Sequence, residues 1–477
     1  MANSPRSQTP SKWHLALLVV CFGVVAVAIA QGLNSADFLQ RQSRLAGSDT
    51  EFDRYATKYH DLVGQLNGNE TCLPIHVQNI NHIGLFYQHC SPLAVSRNGE
   101  AKKVTENFTV PAPVAQRFNF WRKVYGIYGK DQYVLHLSHY SEVVLEVADA
   151  STIPGDLNDV QRAIKVKKLL KTHRERYRPI FRAMHKYRNQ VHRYTPTMRR
   201  IAAAMAHIDS PNKYIDSVWK MRLQRGQRDF IAEGIPRSQK YMNKIEQEFI
   251  AAGIPVEISQ LAFVESSFNM KARSKVGASG VYQIMPATGK QYMIIRNGVD
   301  ERNDPLKSAR AATKLLNLNY KILGEWPLAI TAYNHGVGGI KRAVRKVGSS
   351  DINELIQNYE GRAFGFASKN FFTSFLAVLY TLQHQNIYYP DAETGDELSF
   401  VEHKLTRWLK VSTIAKKHGV STKDLAEYNP DISRTTLRRD RALPKGFVVK
   451  IPVKQPIADD SSPEQNSRLI QLKEDRG

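Results

Sequence analysis

One glutamate at the end of an apolar helical pattern is the residue of this sequence best suited to chemistry. Apolar residues recur at helical spacing through Ile258, Leu261, Val264 and Phe268. Glu265 lies four residues after Leu261 and three before Phe268, so the pattern places it on the same apolar face. A carboxyl group buried without a partner tends to stay protonated. A neutral acid in a dry cleft can protonate the oxygen of a glycosidic bond.

Three short motifs follow one another in the chain and support this interpretation. They read Glu-Ser at 265–266, Gly-Val-Tyr-Gln at 280–283 and Ala-Tyr-Asn at 332–334. In this order they resemble the signature of the lytic transglycosylases, which are cell-wall enzymes with a goose-lysozyme-like fold. The resemblance covers roughly residues 225–385. One of these motifs alone would be weak, whereas three in order at sensible spacing are a strong signal.

The resemblance implies a lysozyme-like, all-α catalytic domain that needs no cofactor or metal and acts on peptidoglycan glycan strands. Its reaction cleaves the β-1,4 bond between N-acetylmuramic acid and N-acetylglucosamine, and the muramic 6-hydroxyl closes a 1,6-anhydro ring in place of water. Glu265 would be general acid and then general base, so one carboxylate suffices where ordinary glycosidases need two. The implied substrate-binding positions are Ser266, Ser274, Gly280, Gln283, Tyr333 and Asn334.

Two other functions remain open. A goose-type muramidase would use water, with an aspartate as helper. The acids in this stretch that belong to no motif are Asp300, Glu301, Asp304 and Glu325. Of these, Asp304 directly before Pro305 is more typical of a helix cap. The second alternative is a non-catalytic scaffold that only binds peptidoglycan.

The chain departs from the resembled family in one place. Many relatives carry a tyrosine after an Arg-Asn or Lys-Asn element, but here Phe371 and Phe372 follow Lys369 and Asn370. A hydroxyl near the active site is therefore missing, depending on the alignment. The sequence does not decide whether catalysis is slower for this reason or whether Tyr333 alone suffices.

Composition narrows the class of partner. The chain has 477 residues and a formal net charge of +23, which favours anionic partners such as nucleic acid, anionic lipid or an anionic wall polymer. The length is compatible with two to four domains. Residues 13–30 are almost wholly apolar and follow Arg6 and Lys12, so they predict export with the positive end inside. Nucleic acid is a poor partner for an exported protein.

The N-terminal segment, residues 1–34, has two possible fates. Its apolar run is near the length that spans a bilayer, which slightly favours an uncleaved anchor in the inner membrane and a periplasmic protein. Ala28-Ile29-Ala30 is instead compatible with a signal peptide cleaved after Ala30. Cys21 lies within the apolar run, so Cys72 and Cys90 are the candidates for a disulfide in an oxidising compartment.

The rest of the chain divides into five predicted regions. Residues 35–155 form a small α+β region of unknown role, with two strands around a turn near its end. Residues 156–228 are helical and strongly basic. Their apolar stripe is expected to pack on the catalytic domain, and the alternative is that their charges form a surface for anionic glycan or lipid headgroups. The catalytic domain covers 229–390, with first-turn prolines at Pro236 and Pro255, a helix from Asp304 to Gly324, and glycines at 336, 338 and 339 that break the helix opened by Pro327.

Residues 403–452 resemble a LysM module, a small βααβ unit that binds glycans. The similarity is carried by the stretch from Ile414 to Asn429 and by the closing stretch from Leu443 to Pro452. The opening turn of that family is replaced here by Trp408 to Thr413, which concerns glycan affinity more than the fold. Residues 453–477 are polar and are predicted to be a disordered tail.

Overall fold

The computed structural model describes residues 102–453, apart from residue 297. The predicted export segment, the disulfide candidates Cys72 and Cys90, and residues 454–477 lie outside the described residues. Within the described part the chain is mostly helical, as predicted. No helix of residues 102–453, leaving out 297, is both long and apolar enough to span a membrane.

The strands are short. In chain order they are β1 (Lys102–Lys103), β2 (Thr109–Val110), β3 (Gln132–Leu137), β4 (Val144–Asp149), β5 (Met221–Arg225), β6 (Ile295–Arg296), β7 (Val299–Asp300), β8 (Phe400–Lys404), β9 (Leu409–Lys410), β10 (Ala442–Leu443) and β11 (Val448–Pro452).

The α-helices carry most of the chain. In order they are α1 (Ala115–Gly126), α2 (Asp159–Lys186), α3 (Pro196–Ala204), α4 (Lys213–Ser217), α5 (Arg228–Gln239), α6 (Met242–Ala251), α7 (Leu261–Ser266), α8 (Pro286–Gly289), α9 (Pro305–Leu323), α10 (Trp326–His335), α11 (Val337–Val347), α12 (Ile352–Asn358), α13 (Phe366–Gln383), α14 (Gln385–Tyr388), α15 (Val411–His418), α16 (Thr422–Tyr428) and α17 (Arg434–Arg438). Short 3-10 helices cover Ala112–Val114, Val191–Arg193, Val256–Gln260 and Glu301–Asn303.

The described residues form two compact units. The smaller unit consists of residues 132–224, and the larger one joins residues 102–131 to residues 225–453. This division differs from the predicted boundaries, because residues 102–131 leave the predicted 35–155 region and take part in the larger unit. The reason lies in α1, whose buried side chains Phe118 and Val124 belong to a helix that packs along α13.

In the smaller unit, a three-stranded sheet of order β4-β3-β5 packs against α2. The strands β3 and β4 lie where the alternating sequence pattern predicts two strands, and they pair antiparallel with Gln132 opposite Asp149. Helix α2 buries Tyr177, Phe181 and Met184 in a core shared with this sheet. The apolar stripe of the basic region is therefore buried within its own unit.

The helix signals of the larger unit are partly as predicted. The Asp304 carboxylate caps α9 by accepting hydrogen bonds from the backbone N–H of Leu306 and Lys307, both at 3.0 Å, and Gly324 ends the helix at a φ of 78°. The prediction for Pro236 is wrong, because this proline lies inside α5. Burial of Ile235 and its neighbours on α5 outweighs the one hydrogen bond that an interior proline removes.

Two further boundaries differ from the predictions. Only Gly336 interrupts the helices in its region, at a φ of 85°, whereas glycines 338 and 339 lie inside α11. Helix α13 begins at Phe366, although the apolar run that indicates a helix in the sequence starts only after Asn370. Helix ends of this kind depend on tertiary contacts more than on local signals.

Residues 400–452 form the C-terminal module of the larger unit. Strands β8 and β11 pair antiparallel, β9 pairs with β10, and α15, α16 and α17 lie between these strands in the chain. The module buries its own apolar core, which includes Leu405, Ile414, Leu425 and Phe447. Val299 from β7 is buried in the same core, so the module packs directly against the helical part of the unit.

Candidate functional site

The Glu265 side chain comes from the end of a short, strained helix. Helix α7 runs from Leu261 to Ser266, and the next two residues, Ser267 and Phe268, have φ values of 50° and 53°. Two consecutive non-glycine residues with left-handed backbone conformation cost free energy, and such strain is typical of functional sites. The predicted continuation of the helix to Phe268 is therefore wrong, although Phe268 is fully buried.

Helix α5 holds this strained corner in place. The Arg237 guanidinium donates hydrogen bonds to the carbonyls of Ser267 and Phe268, at 3.1 and 3.2 Å. A Cβ atom at Gly234 would lie 2.3 Å from the Ser267 carbonyl oxygen, so only glycine allows the two backbones to approach this closely. The corner fixes the direction in which the Glu265 side chain leaves the helix.

Glu265 is a half-buried residue of the structure. Burial raises its pKa from 4.5 to about 8. Among residues 102–453, leaving out 297, no lysine, arginine or histidine forms an ion pair with it. With no cation to stabilise the carboxylate, Glu265 is protonated at neutral pH.

The loop at 277–284 is built on a glycine that no other residue can replace. Gly280 has a φ of 78°, and a Cβ atom there would lie 1.7 Å from the carbonyl oxygen of Arg302. Gln283 follows at a φ of 46°, and its side-chain amide donates to the carbonyls of Ala272 and Gly280 at 3.1 and 2.9 Å. The Gln283 side chain therefore fixes the loop from within.

Two serines of the predicted set have structural contacts. The Ser266 hydroxyl donates to the carbonyl of Val281 at 3.0 Å, which ties the end of α7 to the 277–284 loop. The Ser274 hydroxyl accepts a hydrogen bond from the backbone N–H of Ala278 at 2.9 Å and closes the turn that precedes the loop. The Ser266 contact brings the first two motifs together.

The third motif joins the same site through Tyr333 on α10. Its phenol donates a 2.8 Å hydrogen bond to the carbonyl of Tyr282, in the 277–284 loop. Burial raises the pKa of the Tyr333 phenol well above its ordinary value, and the nearby charge of Glu265 raises it further. Asn334 is exposed at the end of α10, where its amide oxygen accepts a 3.3 Å hydrogen bond from the Ser368 hydroxyl.

Two residues near the site were not predicted from the sequence. Tyr125 on α1 is buried, and its pKa is raised by burial, lowered by the adjacent Ser374 hydroxyl and raised by the charge of Glu265. Tyr125 thus lies near the acid although it is 140 positions away in the chain. Phe371 and Phe372 are both buried in α13, so neither offers a surface to a ligand.

Arg302 is the second residue that was missed. Its guanidinium binds the Asp300 carboxylate through two hydrogen bonds of 2.8 Å and donates to the carbonyls of Gly277 and Ile284 at 2.7 and 3.1 Å. The sequence gives little indication of this role, because nothing distinguishes Arg302 from the many other basic residues of the chain. The described residues contain no cluster of acids, histidines and cysteines suited to a metal ion.

Comparison with known families identifies the domain that contains this site. The family model described as Transglycosylase SLT domain matches residues 242–356. Residues 242–356 are a transglycosylase SLT domain. The match includes Glu265, the 277–284 loop and the Ala-Tyr-Asn motif at 332–334. Tyr125 and the C-terminal module lie outside it.

Individual relatives resemble part of the chain. The membrane-bound lytic murein transglycosylase D of Escherichia coli K12 is 28% identical over 208 residues, which cover 42% of this chain and 44% of that protein. This chain therefore spans less than half of the length of the murein transglycosylase that it matches.

Two solved structures are also similar. The 70 kDa soluble lytic transglycosylase SLT70 of Escherichia coli is 18% identical with a TM-score of 0.27, and the match covers 50% of this chain and 38% of that one. The lytic transglycosylase Slt of Pseudomonas aeruginosa is 18% identical with a TM-score of 0.27, covering 49% and 35%. Scores this low do not establish a shared fold.

Proposed function

We propose that this chain is a peptidoglycan lytic transglycosylase in which Glu265 is the only catalytic carboxyl group. The observation that carries the proposal is the half-buried Glu265 residue, whose pKa is raised to about 8 by burial and which has no cation beside it. Such a group holds its proton at neutral pH and is poised to give it to a leaving oxygen.

The reaction balances without water. The Glu265 carboxyl gives its proton to the glycosidic oxygen as the bond between muramic C1 and that oxygen breaks. The 6-hydroxyl oxygen of the same muramic residue forms a bond to C1, and its proton passes to the Glu265 carboxylate. The products are a glycan with a 1,6-anhydro end and a glycan with a free 4-hydroxyl, and the acid is regenerated.

The loop and Tyr333 would hold the substrate and the acid in register. Ser266, Gly280 and Tyr333 all contact the 277–284 loop or belong to it, so we assign them to the positioning of the reacting sugar together with Gln283. Asn334 is exposed directly after Tyr333 and suits a contact with an N-acetyl group. Ser274 acts by closing the preceding turn.

Three of the four acids outside the motifs have contacts that disfavour a muramidase that uses water and a second carboxylate. Asp300 is bound by Arg302, and Glu301 is paired with Lys307 at 3.1 Å. Asp304 is fully buried and paired with Lys450. Carboxylates held in this way are committed to structural contacts and have little freedom to activate water.

We also propose the cellular setting. The protein acts in the periplasm, held at the inner membrane by residues 13–30, and the C-terminal module contributes to binding of glycan strands. The name of the Escherichia coli relative and the paired strands and helices of the module support these two points. Extraction of membranes at high pH would release a cleaved form and retain an anchored one.

Product analysis on purified sacculi tests the catalytic proposal. We expect mass spectrometry to show 1,6-anhydro ends, whereas a muramidase would give reducing ends heavier by one water. Glu265→Gln should lower the rate about 10³-fold. Glu246→Gln is the matched control, because Glu246 is another half-buried acid whose pKa is raised by burial but which belongs to no motif. Full activity of Glu265→Gln, or pulldown by sacculi without product, would overturn the proposal.

A further inference from the structure

The C-terminal module, residues 400–452, is joined to the SLT domain by buried charges. The Lys450 ammonium group pairs with the Asp304 carboxylate, and both side chains are completely buried. The Lys307 ammonium group lies 2.7 Å from the Asp431 carboxylate and 3.1 Å from Glu301. One lysine and one aspartate come from each side, so the pairs cross between the module and the domain in both directions.

Backbone contacts reinforce the same junction. The N–H of Asp300 donates to the carbonyl of Asp431 at 2.9 Å, and the N–H of Ser433 donates to the carbonyl of Gly298 at 3.0 Å. Val299 lies between these contacts and is buried in the module core. The turn formed by residues 300–304 is therefore attached to the module through its backbone and through its side chains.

The turn at 300–304 also contacts the 277–284 loop beside Glu265. Two nitrogens of Arg302, Nε and Nη2, donate hydrogen bonds to the Asp300 carboxylate. The third nitrogen, Nη1, donates hydrogen bonds to the carbonyls of Gly277 and Ile284. These two carbonyls stand at the two ends of the 277–284 loop. The carbonyl of Arg302 also fills the space where a side chain at Gly280 would lie. A shift of the turn would therefore move the loop.

We infer that the C-terminal module braces the 277–284 loop, and that Lys307 and Lys450 are positioning residues that act through Arg302. The inference rests on the proposed function, since the loop affects a rate only if Glu265 is the acid beside it. It extends that function by giving the module a role within catalysis. A module that served only to bind the wall would need no buried ion pairs with the domain.

Buried charges suit this role because they cannot be exchanged for water without cost. Removal of one partner leaves the other ion buried and unpaired, so the junction must rearrange. Geometry near an acid is sensitive to such movement, since a misplacement of about 1 Å can cost about 10²-fold in rate. The effect should appear even on a substrate too small to need a second binding site.

The test compares Lys450→Met and Arg302→Lys with the full-length wild type. We expect amide hydrogen exchange in peptides covering residues 274–285 to become about tenfold faster in both variants. We expect kcat on short, soluble, uncrosslinked peptidoglycan oligosaccharides to fall about 10-fold to 100-fold, with a smaller change in KM. Arg302→Lys keeps the charge and leaves both lysine pairs intact, so it reports on the link between turn and loop.

Glu402→Gln is the matched control. Glu402 belongs to β8 of the module, opposite Lys450 of β11, but its carboxylate pairs with Arg310 on α9 at 3.0 Å and not with a residue of the 300–304 turn. This variant removes a charge pair between the same two parts and should change neither the exchange of residues 274–285 nor kcat. A loss in Glu402→Gln equal to that in Lys450→Met would contradict the specific path through Arg302.

The remaining outcomes separate this inference from the proposed function. If Lys450→Met does not fold, Arg302→Lys decides, and unchanged exchange and kcat in that folded variant would overturn the brace. If activity falls only on intact sacculi, the module is a wall anchor and the inference is wrong. If the wild type cleaves no substrate, the proposed function fails, while faster exchange in Lys450→Met would still support the brace.

Discussion

Glu265 and Asp304 are two acidic residues of the larger unit that differ in whether a cation lies beside the carboxyl group. Glu265 is enclosed by backbone, apolar groups and phenols, with no cation beside it. Asp304 is completely buried, more so than Glu265, and the Lys450 ammonium group pairs with it while Lys307 is close by. Both groups lose hydration, and only one of them receives a positive charge in return.

The difference sets the two pKa values in opposite directions. Burial alone raises the pKa of Glu265 to about 8. Burial would also raise the pKa of Asp304, but the charges of Lys450 and Lys307 outweigh it and hold the pKa below its ordinary value. Asp431 lies between these cases, because burial raises its pKa to about 6 while Lys307 opposes the shift.

The comparison shows how one unit uses burial for two purposes. A buried acid without a cation keeps a proton that it can donate, which is useful in catalysis and costly for stability above its ordinary pKa. A buried acid with a cation stays charged and fixes the geometry of its surroundings, which suits a junction between two parts of a unit.

The largest effect on stability is expected from breaking the paired group. Lys450→Met leaves the Asp304 carboxylate buried without its main partner, so the free energy of unfolding should fall by about 3–5 kcal/mol. Urea denaturation at pH 7, followed by circular dichroism, measures this change. A loss below about 1 kcal/mol would mean that solvent reaches this pair and that the contrast with Glu265 is not one of burial.

Removal of the unpaired carboxyl group of Glu265 should raise the free energy of unfolding. In the wild type, the contribution of Glu265 to stability is fully present below pH 4.5 and is lost as the pH rises through about 8. Glu265→Gln removes this loss, so it should be more stable than the wild type by about 2–4 kcal/mol at pH 8 and by less at pH 5. Thermal unfolding across this pH range measures the difference.

Asp304→Asn is the control for that pH dependence. The Asp304 carboxylate has a lowered pKa and is charged throughout the range from pH 5 to pH 8. Its contribution is lost only as the pH falls through the lowered value, so this variant should be destabilised by a similar amount at both pH values. Asp431, whose pKa is raised to about 6, should leave a smaller decline in Glu265→Gln, whereas an undiminished decline between pH 5 and pH 8 would assign the titration to a group other than Glu265.

The pH dependence of the activity should also follow the protonated fraction of Glu265. If Glu265 is the general acid, kcat/KM should be flat near neutral pH and fall about tenfold per pH unit above about 8. A stopped assay on soluble glycan fragments at constant ionic strength measures this limb. An alkaline limb near pH 5 would show that the acid is solvated, and the comparison with Asp304 would lose its basis.

The smallest effect is expected from an ion pair at the surface. Arg310 and Glu402 form a pair that is about one-third exposed, so Glu402→Gln should cost less than about 1 kcal/mol. Its effect should shrink further in 0.5 M salt, measured by urea denaturation, because exposed pairs are screened. A cost equal to that of Lys450→Met would show that pairing alone, without burial, stabilises the junction.

Local signals in the sequence were sufficient for much of the helical domain. Asp304, Pro305 and Gly324 predict the start and the end of α9, because caps and glycine ends depend on neighbours a few residues away. The roles of the motif residues around Glu265 stay predictions, although Ser266 and Tyr333 both contact the 277–284 loop. The prediction of Pro236 at a helix start failed because the rest of α5 is held by burial, which a local rule does not include.

The double role of Asp304 shows where local reasoning stops. Its position before Pro305 correctly predicts a cap, but its ion pair joins it to Lys450, 146 positions later in the chain. The cysteines and the apolar segment at 13–30 lie outside the described residues and stay predictions. So does the glycan binding of the C-terminal module.

The sequence by itself determined the acid, its apolar neighbours and the motifs that accompany it, because these follow from residue type and short-range spacing. Only the tertiary structure decided that α7 ends at Ser266, that the charge of Glu265 acts on Tyr125, and that two lysines join the module to the turn behind the loop. Packing of the whole unit brings together charges and backbone groups that are more than a hundred residues apart in the chain. No short segment of the sequence specifies that packing.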